Sequence, residues 1–428
     1  MVSISVRHDG ALALVILSAL AKICIDYFMF FISPEFGVYG VVVSGSFYSF
    51  EYWRSWVLFF VVTSLQIIYI RGRGDIFDCA LSFIFYAIFF PVLSYSWVSS
   101  GNSDYLYFCA LFWFSLFFIL TFLPVGERGR HVGEASRMEG GLSWTYLFLV
   151  CLLGVLMLMK FGLALDLGFD SVYERRKAFG DWRGGGPIAY LYSWSVYVFA
   201  AFLIFVSRPV VFRAAGFVYL VYFFGVAGDK VYLFLLGVVF FLRFSSLRGG
   251  VALILCFLIA LNAFGVMMYS ILGDVWAAAV VNRFLVLPVD ISFKYVSFFG
   301  NDLLLYSYSF LSSFFDYSFS DLPAFLIGSQ FYVVGDNANV NFLTDAYVNF
   351  GWLSVLPLLL FFLLLRVLLS DTRYLVIIVP LLVQALNTPL PTLLLTGGGG
   401  VMVISCYILN RYTPALYGGL KGHGLVSR

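Results

Sequence analysis

The chain has 428 residues, of which 62% are hydrophobic, 20% aromatic and only 11% charged, and its formal net charge is +2. A soluble domain carries about 25% charged residues, so this composition excludes an ordinary water-soluble enzyme. The small net charge says little about partners, and no nucleic-acid partner is expected. A spanning helix needs about 20 mostly apolar residues, and hydrocarbon offers no water to an open backbone, which leaves helices or closed barrels. Continuous apolar runs such as 251–261 lack the alternation of barrel strands, so the expected fold is an all-α polytopic membrane protein.

In chain order, apolar windows fall near 11–32, 55–70, 76–97, 105–124, 144–162, 188–207, 211–228, 231–244, 251–272, 352–370, 374–389 and 390–410. They amount to about twelve transmembrane helices, within a range of about eleven to fourteen, in one membrane domain over 1–428. The first window follows Arg7 and His8 with no small-residue cleavage site, so it reads as a retained span. With both termini cytoplasmic, most short loops obey the positive-inside rule. Two long external loops, 163–187 and 273–350, then hold most of the basic residues on the disfavoured side. An anionic ligand would explain them.

Within the first window Lys22 and Asp26 stand one turn apart and read as a mutually neutralising pair that faces other helices. In the first long loop Arg175, Arg176, Lys177 and Arg183 fall within nine positions. Guanidinium groups grip phosphate oxygens bidentately, although a solvated loop against lipid headgroups would look the same. If 172–183 is helical, Arg176 and Arg183 share a face with Arg175 beside them. The glycines 184–186 before Pro187 read as a turn into the next span.

Asp229 and Lys230 interrupt an apolar stretch and are either a functional pair at the membrane boundary or a hairpin turn. Arg283 stands in an apolar setting, where it either snorkels to the interface or joins the first-loop cations. Between Gly335 and Gly351, Asp336, Asn337, Asn339, Asn341, Asp345, Tyr347 and Asn349 interleave with apolar residues. Carboxamides, carboxylates and aromatic rings suit sugar hydroxyls and ring faces, and a carboxylate there could deprotonate an acceptor hydroxyl. Asx residues are equally good turn and cap formers. Glycines 397–400 lie inside the last window, read first as close helix packing and second as a broken helix.

The six cysteines are scattered without a CxxC pair, and the three histidines all fall on the cytoplasmic side. No metal or other cofactor is expected. External chemistry must then use Arg, Lys, Asp, Asn and Tyr, which favours a substrate whose leaving group is already activated.

These segments resemble the O-antigen polymerases of the Wzy type. The likeness rests on Arg175 followed by ten residues and then Gly186, on Gly228-Asp229-Lys230 after an apolar run, and on Asn337, Asn339 and Asn341 followed by Asp345, Tyr347, Phe350 and Gly351. It also rests on Asn387, Thr388 and Pro389 with glycines shortly after. In the second loop Arg283 fits the expected cationic position, but eleven residues on stands Lys294 rather than glycine. The resemblance implies a metal-independent membrane glycosyltransferase of the GT-C type in the bacterial inner membrane, with 163–187 and 273–350 in the periplasm. It would move a growing glycan from undecaprenyl diphosphate onto a second lipid-linked repeat unit, in contact with membrane lipids and a chain-length regulator. Arg176 and Arg283 would stabilise diphosphate charge, with Arg175, Arg183 and Lys230 assisting. Asp345, then Asp336, then Asp229 are the candidate acceptor bases. Asn337, Asn339, Asn341 and Tyr347 would bind sugar. The alternatives are an O-antigen ligase, expected to need a periplasmic histidine, and a lipid-linked oligosaccharide flippase or transporter, expected to show pseudo-symmetric halves.

Overall fold

The computed structural model describes residues 5–71, 76–99, 103–123, 135–163, 171–184, 186–207, 209–228, 247–273, 275–300, 302–309, 311–332, 338–368 and 384–411. Among them there is no strand, and nine helices are long and apolar enough to cross a membrane. The protein is an all-helical, multi-pass membrane protein. Those nine coincide with nine of the expected windows, while 231–244 and most of 374–389 lie outside the described residues.

The chain divides into two compact units. The first comprises Met1–Leu123, Ser245–Leu363 and Leu382–Leu390. Its centre is the helix Ile76–Val98, whose apolar window is buried on every side. Ser5–Tyr27, Phe50–Arg71, Ser103–Phe122, Leu247–Leu272 and Leu287–Phe299 surround it, so its polar residues Asp78, Ser82, Ser94 and Ser96 are buried within the protein. Lipid tails are as apolar as leucine, so close packing and interhelical hydrogen bonds hold such a bundle together. Phe85 shows the packing: its ring centroid lies 5.1 Å from those of Tyr86 and Phe117 and 5.4 Å from that of Trp113. Gln66 supplies the polar counterpart. Its Nε2 donates to Ser82 Oγ at 3.0 Å, and its Oε1 accepts from the Tyr86 hydroxyl at 2.9 Å.

Lys22 and Asp26 pair as their spacing predicts, Nζ to Oδ2 at 2.7 Å, with both side chains buried. Trp97 Nε1 donates to Asp26 Oδ1 at 3.1 Å, and the Lys22 ammonium stands 4.6 Å from the Trp56 ring centroid. An ion pair removed from water persists only when its remaining polar capacity is met, and the two indoles help to meet it.

The second unit comprises Pro124–Phe244, Leu364–Leu381 and Pro391–Arg428. Its spans Ala135–Phe161 and Val210–Ala227 pack with the line Pro187–Trp194, Ser195–Ala200 and Ala201–Phe205, in which a π-helical turn joins two α-helical segments. Hydroxyl pairs link them: Ser195 with Tyr219 at 2.6 Å, Ser143 with Ser207 at 2.7 Å, and Tyr146 with Ser405 at 2.5 Å. The helix Val172–Arg183 forms where the sequence suggests, and Gly186 with Pro187 at the first helical position starts the next span.

Two regions differ from expectation. The last window is not one continuous span: Leu390–Leu394 and Gly399–Arg411 are separate helices. Gly398 lies between them at φ +78°, and a Cβ there would meet Val198 Cγ2 at 2.7 Å. Both readings of these glycines hold: the helix breaks at Gly398, and the missing side chain there lets Val198 and Trp194 pack close. The second long loop is largely helical. Val275–Val281 runs through a π turn, Asn282–Val286, into Leu287–Phe299, and Pro323–Phe331 follows after a stretch of turns. The span expected near 352–370 begins instead at Phe342, with Phe342–Phe350 continuing through Gly351–Ser354 into Val355–Leu368. Asp345 and Tyr347 thus belong to a helix rather than a loop.

Candidate functional site

Asn341 opens the helix Phe342–Phe350. Its backbone is extended, and its Oδ1 accepts from the N–H groups of Leu343 and Thr344, each at 3.0 Å. This is an N-cap, satisfying two donors that the first turn leaves without helical partners. Asn341 Nδ2 donates to Ser292 Oγ at 3.0 Å. A residue expected to bind sugar therefore spends its polar atoms on the fold.

Asp345 sits one turn later and is 2% exposed. Its Oδ2 accepts from the Tyr306 hydroxyl at 2.6 Å, and its Oδ1 accepts from the Tyr308 hydroxyl at 3.1 Å and from Asn349 Nδ2 at 3.3 Å. The segment that begins at Gln384 is anchored alongside, since the Phe342 N–H donates to the Ala385 carbonyl at 3.2 Å. Two of the sequence motifs, the one around Asp345 and the one around Asn387, are thereby brought together.

The two phenols reach Asp345 through an unusual backbone. Leu305 and Tyr306 both have positive φ, 50° and 53°, a left-handed conformation that side-chain-bearing residues seldom adopt. Each such residue costs about 1–2 kcal/mol and persists only where its surroundings fix it. The C-terminal end of the helix does so. The N–H groups of Leu304 and Leu305 donate to the carbonyls of Val348 and Asn349, at 3.0 and 3.2 Å. The Tyr306 N–H donates to Asn349 Oδ1 at 2.7 Å. Burial first, and then the negative charge of Asp345, hold the hydroxyls of Tyr306 and Tyr308 well above the usual phenol range, so both stay protonated donors.

A second buried carboxylate lies in the same unit. Asp290 accepts from the hydroxyls of Tyr95 and Tyr332, each at 2.6 Å, and from Lys294 Nζ at 2.7 Å. Lys294 stands 4.1 Å from the Tyr332 ring centroid, and Tyr39 stacks on Tyr332 with centroids 5.7 Å apart. The helix that carries Asp290 also holds Asn341 through Ser292, and its Tyr295 hydroxyl donates to the Ala338 carbonyl at 3.0 Å. It therefore fixes both Tyr332 and Ala338, on either side of Asp336 and Asn337.

The remaining expected residues are placed as follows. Asn339 is exposed, and Tyr347 is buried against Tyr105 and Phe108 with ring centroids 5.7 and 4.8 Å apart. Arg283 is exposed on the π turn in the first unit. Arg175, Arg176 and Arg183 share the helix Val172–Arg183 of the second unit. Arg175 Nη1 donates to the Gly225 carbonyl at 2.8 Å, Arg176 is exposed, and Arg183 lies 5.8 Å from the Phe179 ring centroid. Asp229, Lys230, Asp336 and Asn337 lie outside the described residues. Among the described residues, no group of three or more His, Cys, Asp or Glu side chains is placed to hold a metal ion.

Tyr306, Tyr308, Tyr95 and Tyr332 were not among the expected site residues. Tyr306 and Tyr308 do stand two apart in a tyrosine- and serine-rich stretch, and Asp290 and Lys294 show the same four-residue spacing as Lys22 and Asp26. No protein-family model, curated protein or solved structure matches this chain.

Proposed function

We propose that this protein is a membrane glycosyltransferase of the GT-C type that lengthens O-antigen by transferring a growing glycan from undecaprenyl diphosphate onto a second lipid-linked repeat unit. The supporting observation is Asp345, a buried carboxylate that accepts hydrogen bonds only from neutral groups among the described residues. A carboxylate with no cation to neutralise it keeps its capacity to take a proton, which an acceptor sugar hydroxyl must lose as it attacks. Asp290, by contrast, is paired with the Lys294 ammonium at 2.7 Å.

The other roles follow from charge. Arg283 is the exposed cation in the same unit as Asp345 and is assigned to the diphosphate, whose negative charge grows as the glycosidic bond breaks. The helix Val172–Arg183 presents Arg176 and Lys177 to its surroundings and is assigned, within its own unit, to phosphate binding. Asn339, which is exposed, remains the candidate sugar contact, whereas the buried Tyr347 packs within the core. The proposed site of action is the periplasmic face of the bacterial inner membrane.

A lipid-linked oligosaccharide transporter is the second reading, favoured by the ion pair Lys22–Asp26 buried within a span. Deleting the gene in its host and separating the lipopolysaccharide on a gel distinguishes the two. A polymerase predicts loss of long chains with core plus one repeat retained. Loss of every O-chain would contradict polymerisation and indicate a ligase or a transporter.

A further inference from the structure

The obvious assignment has Asp345 touching the acceptor directly, but the carboxylate's surroundings argue against it. A carboxylate has about four lone-pair sites. At Asp345 three of these are met by Tyr306, Tyr308 and Asn349, all supplied by the protein itself. Little acceptor capacity is left for a hydroxyl from outside, and the side chain is buried.

The members of the network differ in what they can still do. The Tyr306 hydroxyl lies 2.6 Å from Oδ2, and its residue is buried. Asn349 is fully occupied, with Nδ2 on the Asp345 carbonyl at 2.8 Å and Oδ1 on the Tyr306 N–H at 2.7 Å. Tyr308 is the half-buried member, and its bond to Oδ1 is the longer of the two phenol bonds at 3.1 Å. Its oxygen has two lone pairs, and the contact it receives there from Asn349 Nδ2 is long, at 3.4 Å. Its ring adjoins that of Tyr317, centroids 5.8 Å apart, and Tyr317 in turn adjoins Phe319 at 5.5 Å. Tyr308 and the half-buried Tyr317 thus offer adjoining rings of the kind suited to the apolar face of a sugar.

We propose that Tyr308 is the catalytic residue that touches the acceptor hydroxyl, and that Asp345 receives the acceptor's proton through it. The inference rests on the transferase reading above and deepens it. In the step, the acceptor O–H bond breaks and its proton bonds to Tyr308 Oη, while the proton already on Tyr308 moves to Asp345 Oδ1. The acceptor oxygen forms a bond to the anomeric carbon of the donor glycan. The bond from that carbon to the diphosphate oxygen breaks, and the diphosphate leaves with the electron pair. Tyr308 ends neutral, as it began. Asp345 ends as the carboxylic acid and returns its proton to water by the same path. No oxidant, metal or further reactant is needed. Tyr306 holds the second carboxylate oxygen and is a positioning residue.

The test uses the full-length protein in liposomes with a synthetic undecaprenyl-diphosphate-linked repeat unit as donor and acceptor, following glycan length and diphosphate release. The relay predicts that Tyr308→Phe lowers kcat by at least about 100-fold with little change in KM. Rates in mixtures of light and heavy water should report two protons in flight for the wild type. A Tyr308→Phe protein that polymerises within about threefold of wild type would overturn the relay while leaving the transferase reading intact. Should that variant fail to fold, 3-fluorotyrosine placed at position 308 keeps the shape and alters only the acidity. A rate that follows phenol acidity supports the relay, and an unchanged rate overturns it. A wild-type protein that forms no polymer overturns the transferase reading itself, and the relay falls with it.

Discussion

Replacing Asn341 by alanine separates a structural role from a sugar-binding one. The substitution removes the cap that holds the N–H groups of Leu343 and Thr344, and such caps contribute about 1 kcal/mol, within about 0.5–2. It also removes the bond from Nδ2 to Ser292 Oγ, both groups being buried, at a further cost of about 1–2 kcal/mol. Ser292 keeps its own donor bond to the Pro288 carbonyl at 2.7 Å, which limits the second loss. The expected destabilisation is therefore about 2–3 kcal/mol. Asn341→Asp retains the capping oxygen and should lose less than half as much. The assay is the midpoint of denaturant-induced unfolding of the purified protein in detergent, with circular dichroism as readout. An Asn341→Ala protein as stable as wild type but altered in glycan length would refute the reasoning and return Asn341 to the ligand.

Lys22→Met leaves Asp26 buried without its ion-pair partner and should cost about 3–5 kcal/mol in the same assay, whereas Lys22→Met with Asp26→Leu should recover most of it. Gly398→Ala forces a Cβ to within 2.7 Å of Val198 Cγ2 at a positive φ. Its cost should be about 1–3 kcal/mol, read as a lowered unfolding midpoint. Arg176→Ala should abolish long O-chains in cells, with the protein level measured alongside, since the scheme assigns its exposed guanidinium to phosphate. Wild-type chain lengths in that variant would remove Arg176 from the scheme.

The membrane spans were legible because twenty apolar residues in a row have few other solutions, and the pair Lys22–Asp26 was legible because four-residue spacing places two side chains on one helix face. The same spacing joins Asp290 to Lys294, but spacing alone does not show that the pair is buried. Only the tertiary fold supplies Tyr95 and Tyr332, far away in the chain, to complete that pair. Asp345 stood out from its neighbourhood of carboxamides and aromatics, but its phenols come from a left-handed turn at Leu305 and Tyr306 that nothing in local propensity favours. Asn341 shows the opposite failure. Capping and sugar binding call on the same side chain, and composition does not choose between them. Gly397–Gly400 carried two possible meanings as well, and both hold: the positive φ of Gly398 breaks the helix, and Trp194 and Val198 pack close against it.

The central claim is that Asp345 takes the proton of an acceptor sugar as a lipid-linked glycan is transferred. Purified protein in liposomes, supplied with one synthetic undecaprenyl-diphosphate-linked repeat unit, tests it most directly. The account predicts a ladder of lengthened glycans from the wild type, with one diphosphate carrier freed per bond formed, and none from Asp345→Asn at equal fold and amount. A ladder from Asp345→Asn as long as that of the wild type would contradict it.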